Sequence, residues 1–201
     1  MAKAMTPPAR QRTRPGTALG GILAALGLLA GLARGGELHT SDPHKVMAGY
    51  LRALPAHVEW PTNTFALPEE PWRIGILGPD PFAGMLEKTL HDRQAAGRGF
   101  DLWHAAKLED LPPCEIIFIA GKDAEQIKAI LKRLASRPVL TVSEHDDFLV
   151  LGGIIQLQSR DTVRMLINLD RARDAGLKIP ISVVELASEV IENGERRILK
   201  K

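Results

Sequence analysis

Apolar residues recur along this chain in two rhythms, and each rhythm predicts an element. Over residues 45–56 they fall at Val46, Met47, Tyr50, Leu51 and Leu54, the spacing of a half-buried helix that Pro55 ends or kinks. Residues 123–134 predict another helix, with Ile127, Ile130, Leu131 and Leu134 on one stripe and Lys128, Lys132 and Arg133 largely outside it. Short β-rich runs at 73–77, 100–104, 115–119 and 139–142 read as strands, and the third is apolar enough to be buried on both faces. Gly78-Pro79-Asp80-Pro81 closes the first strand; Asp80 as N-cap with Pro81 at the first helical position predicts a helix reaching about Leu90.

The densest stretch is 140–177. Residues 148–151 are β-rich, Gly152-Gly153 punctuates them, and 154–157 with 163–168 read as a hairpin around Ser159-Arg160-Asp161. A short helix over 169–175 is stopped by Gly176, and a last helix is predicted over 182–191, with a charged, frayed end from Glu192. Strands alternating with helices, plus one antiparallel hairpin, predict a single α/β domain: a mixed sheet with helices packed on its faces, spanning 45–191.

The first residues change this picture. Residues 1–17 carry Lys3, Arg10, Arg12 and Arg14 without an acid, and 18–33 is an unbroken run of Ala, Leu, Gly and Ile. Sixteen residues fall short of the roughly 20 that span a bilayer, and Gly31-Leu32-Ala33 offers the small residues a signal peptidase reads. The expectation is a secretory signal over 1–33 cleaved near Ala33, then an extended or disordered segment over 34–44; an uncleaved anchor flanked by Arg34 is the alternative. No Cys follows the apolar run, which excludes a lipid-modified N-terminus, and no arginine pair marks the folded-protein export route. The whole chain has 26 Lys and Arg against 24 Asp and Glu; without the leader's four bases, 22 face 24, a net charge of −2. Nucleic acid loses its electrostatic support as a partner. Cys114 is the only cysteine, so no internal disulfide can form, and its place before an apolar strand suggests a buried thiol ahead of intermolecular pairing or a redox role.

Chemistry is sparse. The six histidines never pair at metal-ligand spacing. His57, Glu59 and Pro113-Cys114 approach the zinc deaminase pattern, but Ile117 stands where its second cysteine would be. There is no G-x-S-x-G elbow, and Gly78 to Gly84 lacks both the dinucleotide fingerprint and the phosphate-loop lysine. His145 beside Asp146 and Asp147 offers an acid/base pair, but carboxylates ahead of a strand are usually solvated. No catalytic residue, metal site or cofactor is expected. Candidate binding residues are Glu59 and Trp60, the latter core or surface platform, Gly152 and Gly153 at their corner, and Arg164 and Asn168 on the hairpin. Asn168, polar within an apolar run, must be hydrogen-bonded if buried.

In order and spacing, Glu59-Trp60-Pro61, Gly78, Leu140-Thr141-Val142, Phe148, Gly152-Gly153, Ile167-Asn168-Leu169 and Ala175-Gly176-Leu177-Lys178-Ile179 resemble the YfiR-like (YfiR/HmsC-type) family of exported bacterial regulators. The resemblance covers residues 45–190. It implies a periplasmic protein without catalytic activity, which binds the periplasmic sensor domain of an inner-membrane diguanylate cyclase, holds it inactive, and is sequestered by an outer-membrane lipoprotein. Cyclic di-GMP output and biofilm formation follow. Other members accompany sensor kinases, and a homodimer is plausible for the family. Two departures stand out. The family often has Cys at the position of Gly75, able to pair near the position of Cys114, and an aromatic before V-E-W-P, where this chain has Leu54-Pro55-Ala56-His57. Two other readings compete: a small-ligand receptor with a pocket near Trp60 or Gly152-Gly153 for an aromatic or amphipathic metabolite, and a hydrolase built on His145.

Overall fold

The computed structural model describes residues 42–199, so the expected leader and most of the segment after it lie outside the described residues. The first helix, α1 (Pro43–His57), starts where Asp42 caps it: the carboxylate accepts from the His44 amide at 3.0 Å, and Pro43 follows. Pro55 sits inside the last turn without ending it. The helix stops when Val58 becomes extended and donates to the Leu54 carbonyl.

Six of the expected strands are present: β1 (Trp72–Leu77), β2 (Phe100–Ala105), β3 (Ile116–Ile119), β4 (Leu140–Ser143), β5 (Ile155–Ser159) and β6 (Val163–Asn168). Among the described residues they join two more, β7 (Glu189–Glu192) and β8 (Glu195–Ile198), in one eight-stranded sheet of order β2-β1-β3-β4-β5-β6-β7-β8. The first five are parallel neighbours; β6 runs antiparallel to β5, β7 parallel to β6 and β8 antiparallel to β7. The remaining helices are α2 (Met85–Leu90), α3 (Ala124–Leu134), α4 (Leu169–Asp174) and α5 (Ile181–Val184). This is the expected mixed α/β sheet.

Four expectations change. Asp80 does not cap a helix: its carboxylate accepts from the Phe82 amide at 2.9 Å, closing a turn, and α2 begins only after Gly84. Residues 148–151 are not a strand. Two parallel strands need a crossover between them, and here a tight turn takes the place of a helix, with Leu151 donating to Asp147 and Gly153 to Phe148 at 2.9 Å each. The predicted helix over 182–191 is reduced to α5, and the residues beyond it form β7. The end is not frayed, because Asn193 and Gly194, both at positive φ, turn the chain back into β8. Asn-Gly is the strongest local hairpin signal there is, and it lies in plain view.

The two faces of the sheet differ in chemistry. On one, Ile74, Ile76, Ile116, Phe118, Leu140, Val142, Ile155, Leu157, Met165, Ile167 and Val190 join side chains from α1 and α2 in one apolar cluster. Each such side chain, fully buried, contributes about 1.5–3 kcal/mol. The opposite face carries Ile117, Ile119 and Leu77 under Ile127, Leu131 and Leu134 of α3. By register it also carries all five buried polar residues among those described: Glu115, Thr141, Ser143, Gln156 and Asn168.

Most of that polar face is satisfied locally. Glu115 receives the Arg73 guanidinium at 2.6 Å and the Arg73 amide at 2.8 Å, and this hydrogen bonding raises the Arg73 pKa. Ser143 donates to the Ile119 carbonyl at 2.6 Å, and Thr141 accepts from the Ile154 amide at 3.1 Å. Only the Gln156 side-chain nitrogen is buried without a partner among the described residues.

Candidate functional site

The six candidate residues do not converge. Glu59 and Trp60 sit at the rim of the apolar face, while Gly152, Gly153 and Asn168 meet on the polar face. Arg164 lies on that same face but is exposed, four residues back along β6 opposite Gln158.

At the rim, Glu59 and Lys178 form an antiparallel bridge, with backbone bonds of 2.9 and 3.1 Å and a side-chain ion pair at 2.9 Å. Trp60 is half-buried: its indole donates to the Pro55 carbonyl at 3.0 Å, and its ring lies 5.3 Å from that of Trp72. Phe65 meets Trp72 edge-on at 4.8 Å, and Arg98 stacks 3.7 Å above Phe65. Trp60 is thus both things the sequence allowed, one side joined to the core and the other open to solvent. The stack itself, which needs Trp60, Phe65, Trp72 and Arg98 together, was not legible beforehand.

On the polar face Asn168 is the organising residue. It ends β6 and caps α4: its side-chain oxygen accepts from the Arg171 amide at 3.0 Å, its side-chain nitrogen donates to the Leu149 carbonyl at 3.4 Å, and its backbone amide donates to Ile154 at 2.8 Å. The expectation that a buried Asn168 would be hydrogen-bonded is met, and one amide ties strand, helix and turn together. Gly153 is required beside it, because a methyl group there would overlap the Phe148 ring, itself fully buried. Gly152, at φ +104°, holds a conformation L side chains rarely adopt. It lines a groove of about 430 Å³ between α3 and α4.

Two further features join residues far apart in the chain. A Cβ on Gly75 would lie 3.2 Å from the Cys114 sulfur, so the positions that the resemblance pairs do face each other. Cys114 is buried, and burial pushes its thiol up to about 11 with the neighbouring Glu115 adding to the shift. Asp80, Glu87 and His104 bring ligand atoms within 4.8 Å of one another; all three are exposed, and His104 already meets Glu87 at 3.2 Å. His145 accepts from the Asp147 amide through its ring nitrogen at 3.1 Å, a local turn contact.

A family profile described as YfiR/HmsC-like matches residues 44–188, more than half of the 201-residue chain. The chain belongs to the YfiR/HmsC-like family. No curated protein matches it. The family match runs from the start of α1 to the residue before β7, so it takes in both the Trp60 rim and the Asn168 corner and leaves out the β7–β8 hairpin. The YfiR/HmsC-like family is one of periplasmic regulators, which supports a regulatory role for this chain. No helix among the described residues is long and apolar enough to cross a membrane.

Proposed function

We propose that this YfiR/HmsC-like protein works in the periplasm, after losing residues 1–33, as a non-catalytic regulator. It binds the periplasmic sensor domain of an inner-membrane diguanylate cyclase, holds the enzyme inactive, and so lowers cyclic di-GMP and biofilm formation. An outer-membrane lipoprotein that sequesters it would release the enzyme. The observation that carries this reading is the family match across nearly the whole described domain. The geometry supports it at the Trp60 rim, where an aromatic ring fixed on one side and open on the other, next to the exposed Glu59–Lys178 pair, is the kind of anchor that interfaces favour.

Deleting the protein in its own cell should raise cyclic di-GMP several-fold, and the full chain should restore the lower level. The chain lacking residues 1–33, retained in the cytosol, should not. Unchanged cyclic di-GMP on deletion, or restoration by the leaderless chain, would refute the proposal.

The groove beside Gly152 favours a second reading, in which the protein senses a small ligand and reports it to a sensor histidine kinase. Ligand-induced stabilisation of the purified protein, followed by a change in kinase output, would test it.

A further inference from the structure

The groove beside Gly152 has a definite chemical character. The C-terminal half of α3 forms one wall and α4 the other, with Thr141 of β4 and the Leu151–Ile154 turn between them. At about 430 Å³ it falls within the roughly 300–1,000 Å³ of small-molecule sites. Leu131, Leu134, Val139, Leu151 and Ile154 supply an apolar lining.

Its charge is one-sided. Lys128, Lys132 and Arg171 line it against a single acid, Asp174, and Arg171 already engages that carboxylate at 3.1 Å. Lys128 and Lys132 are four residues apart on α3 and so share a side of the helix. Neither makes an ion pair with any described residue. Thr141 spends an oxygen lone pair on the Ile154 amide, while its hydroxyl proton has no acceptor among the described residues. Gly152 leaves this part of the wall without a side chain, and its φ of +104° disfavours any other residue there. The chain's own first 33 residues, with four bases and no acid, have the wrong charge to fill the groove.

We propose that this groove binds a single-chain amphiphile, its acyl body on the apolar lining and its anionic head between Lys128, Lys132 and Arg171. The inference deepens the ligand-sensing reading and does not depend on the membrane partner's identity.

The test is calorimetric titration of the purified exported chain with decanoate, decyl phosphate, 1-decanol and acetate, each below its micelle concentration. Decanoate or decyl phosphate should bind at least tenfold more tightly than decanol, which lacks the charge, and than acetate, which lacks the body. Preference for the phosphate assigns the head to a lipid, and preference for the carboxylate assigns it to a free fatty acid. K128Q/K132Q should weaken binding about tenfold without moving the melting temperature of the free protein, and K128R/K132R should retain it. Equal binding of decanol, undiminished binding by K128Q/K132Q, or no binding of either anion overturns the proposal. Failure here leaves cyclase regulation untouched, because the readout is direct binding without a partner.

Discussion

The two faces of the sheet are built from the same strands and do different work. One face presents eleven apolar side chains to the helices and no buried polar group among the described residues; the other holds every buried polar residue described, together with the free thiol and the groove. An apolar face can be packed tightly with no partner to satisfy, so it supplies stability. Polar groups under the opposite face must each find a hydrogen bond, which fixes one arrangement of strand, turn and helix and shapes a cavity between them.

The largest expected effect tests the apolar face. Phe118→Ala removes a fully buried ring that meets Phe82 at 5.0 Å and should cost about 3–5 kcal/mol in denaturant unfolding. A loss below about 1 kcal/mol would mean that this face does not carry the stability.

Next comes the opposite face near Cys114. Gly75→Cys should form a bridge to Cys114 under oxidising conditions, once the Leu111 methyl 2.9 Å away shifts aside. Oxidised, the variant should gain about 3 kcal/mol over its reduced form. Two free thiols persisting in oxidising buffer would show that the positions do not face each other.

Asn168→Ala should cost about 1–2 kcal/mol through loss of the α4 cap. Asn168→Asp should cost less, because it keeps the acceptor and loses only the donor to Leu149. Equal losses for the two variants would assign the effect to the turn and not to the cap.

These outcomes bear on what the sequence could say. The apolar face was legible because its signals are local: the period of α1 and the short strand-like runs of β1 and β3. The polar face was not. Thr141, Gln156 and Asn168 are 12 to 27 residues apart in the chain and share a face only through strand register. Residues 148–151 misled because a four-residue apolar run does not distinguish a strand from a turn whose side chains fill a cluster. Residues 182–191 misled because apolar spacing outweighed Asn193-Gly194, which marked the hairpin.

The smallest expected effect concerns that hairpin. Asp170 in the first turn of α4 accepts from the Gly194 and Asn193 amides at 2.8 Å each, and these bonds hold its carboxyl below the usual range. A lowered folded-state value stabilises the turn above the ordinary Asp pKa of about 3.9, and that contribution is lost as pH falls through the folded value. Hydrogen exchange at Asn193 and Gly194 should therefore lose protection at acid pH, and Asp170→Asn should remove the pH dependence. Protection that does not change on acidification would contradict the coupling.

The central claim is that this protein acts by touching a membrane enzyme. Purified exported chain, immobilised and exposed to detergent-solubilised inner membrane from its own cell, should capture a diguanylate cyclase, whose isolated periplasmic domain then binds the chain directly and binds Trp60→Ala more weakly. Capture of no inner-membrane signalling enzyme, with no binding to any cyclase periplasmic domain of that cell, would contradict it.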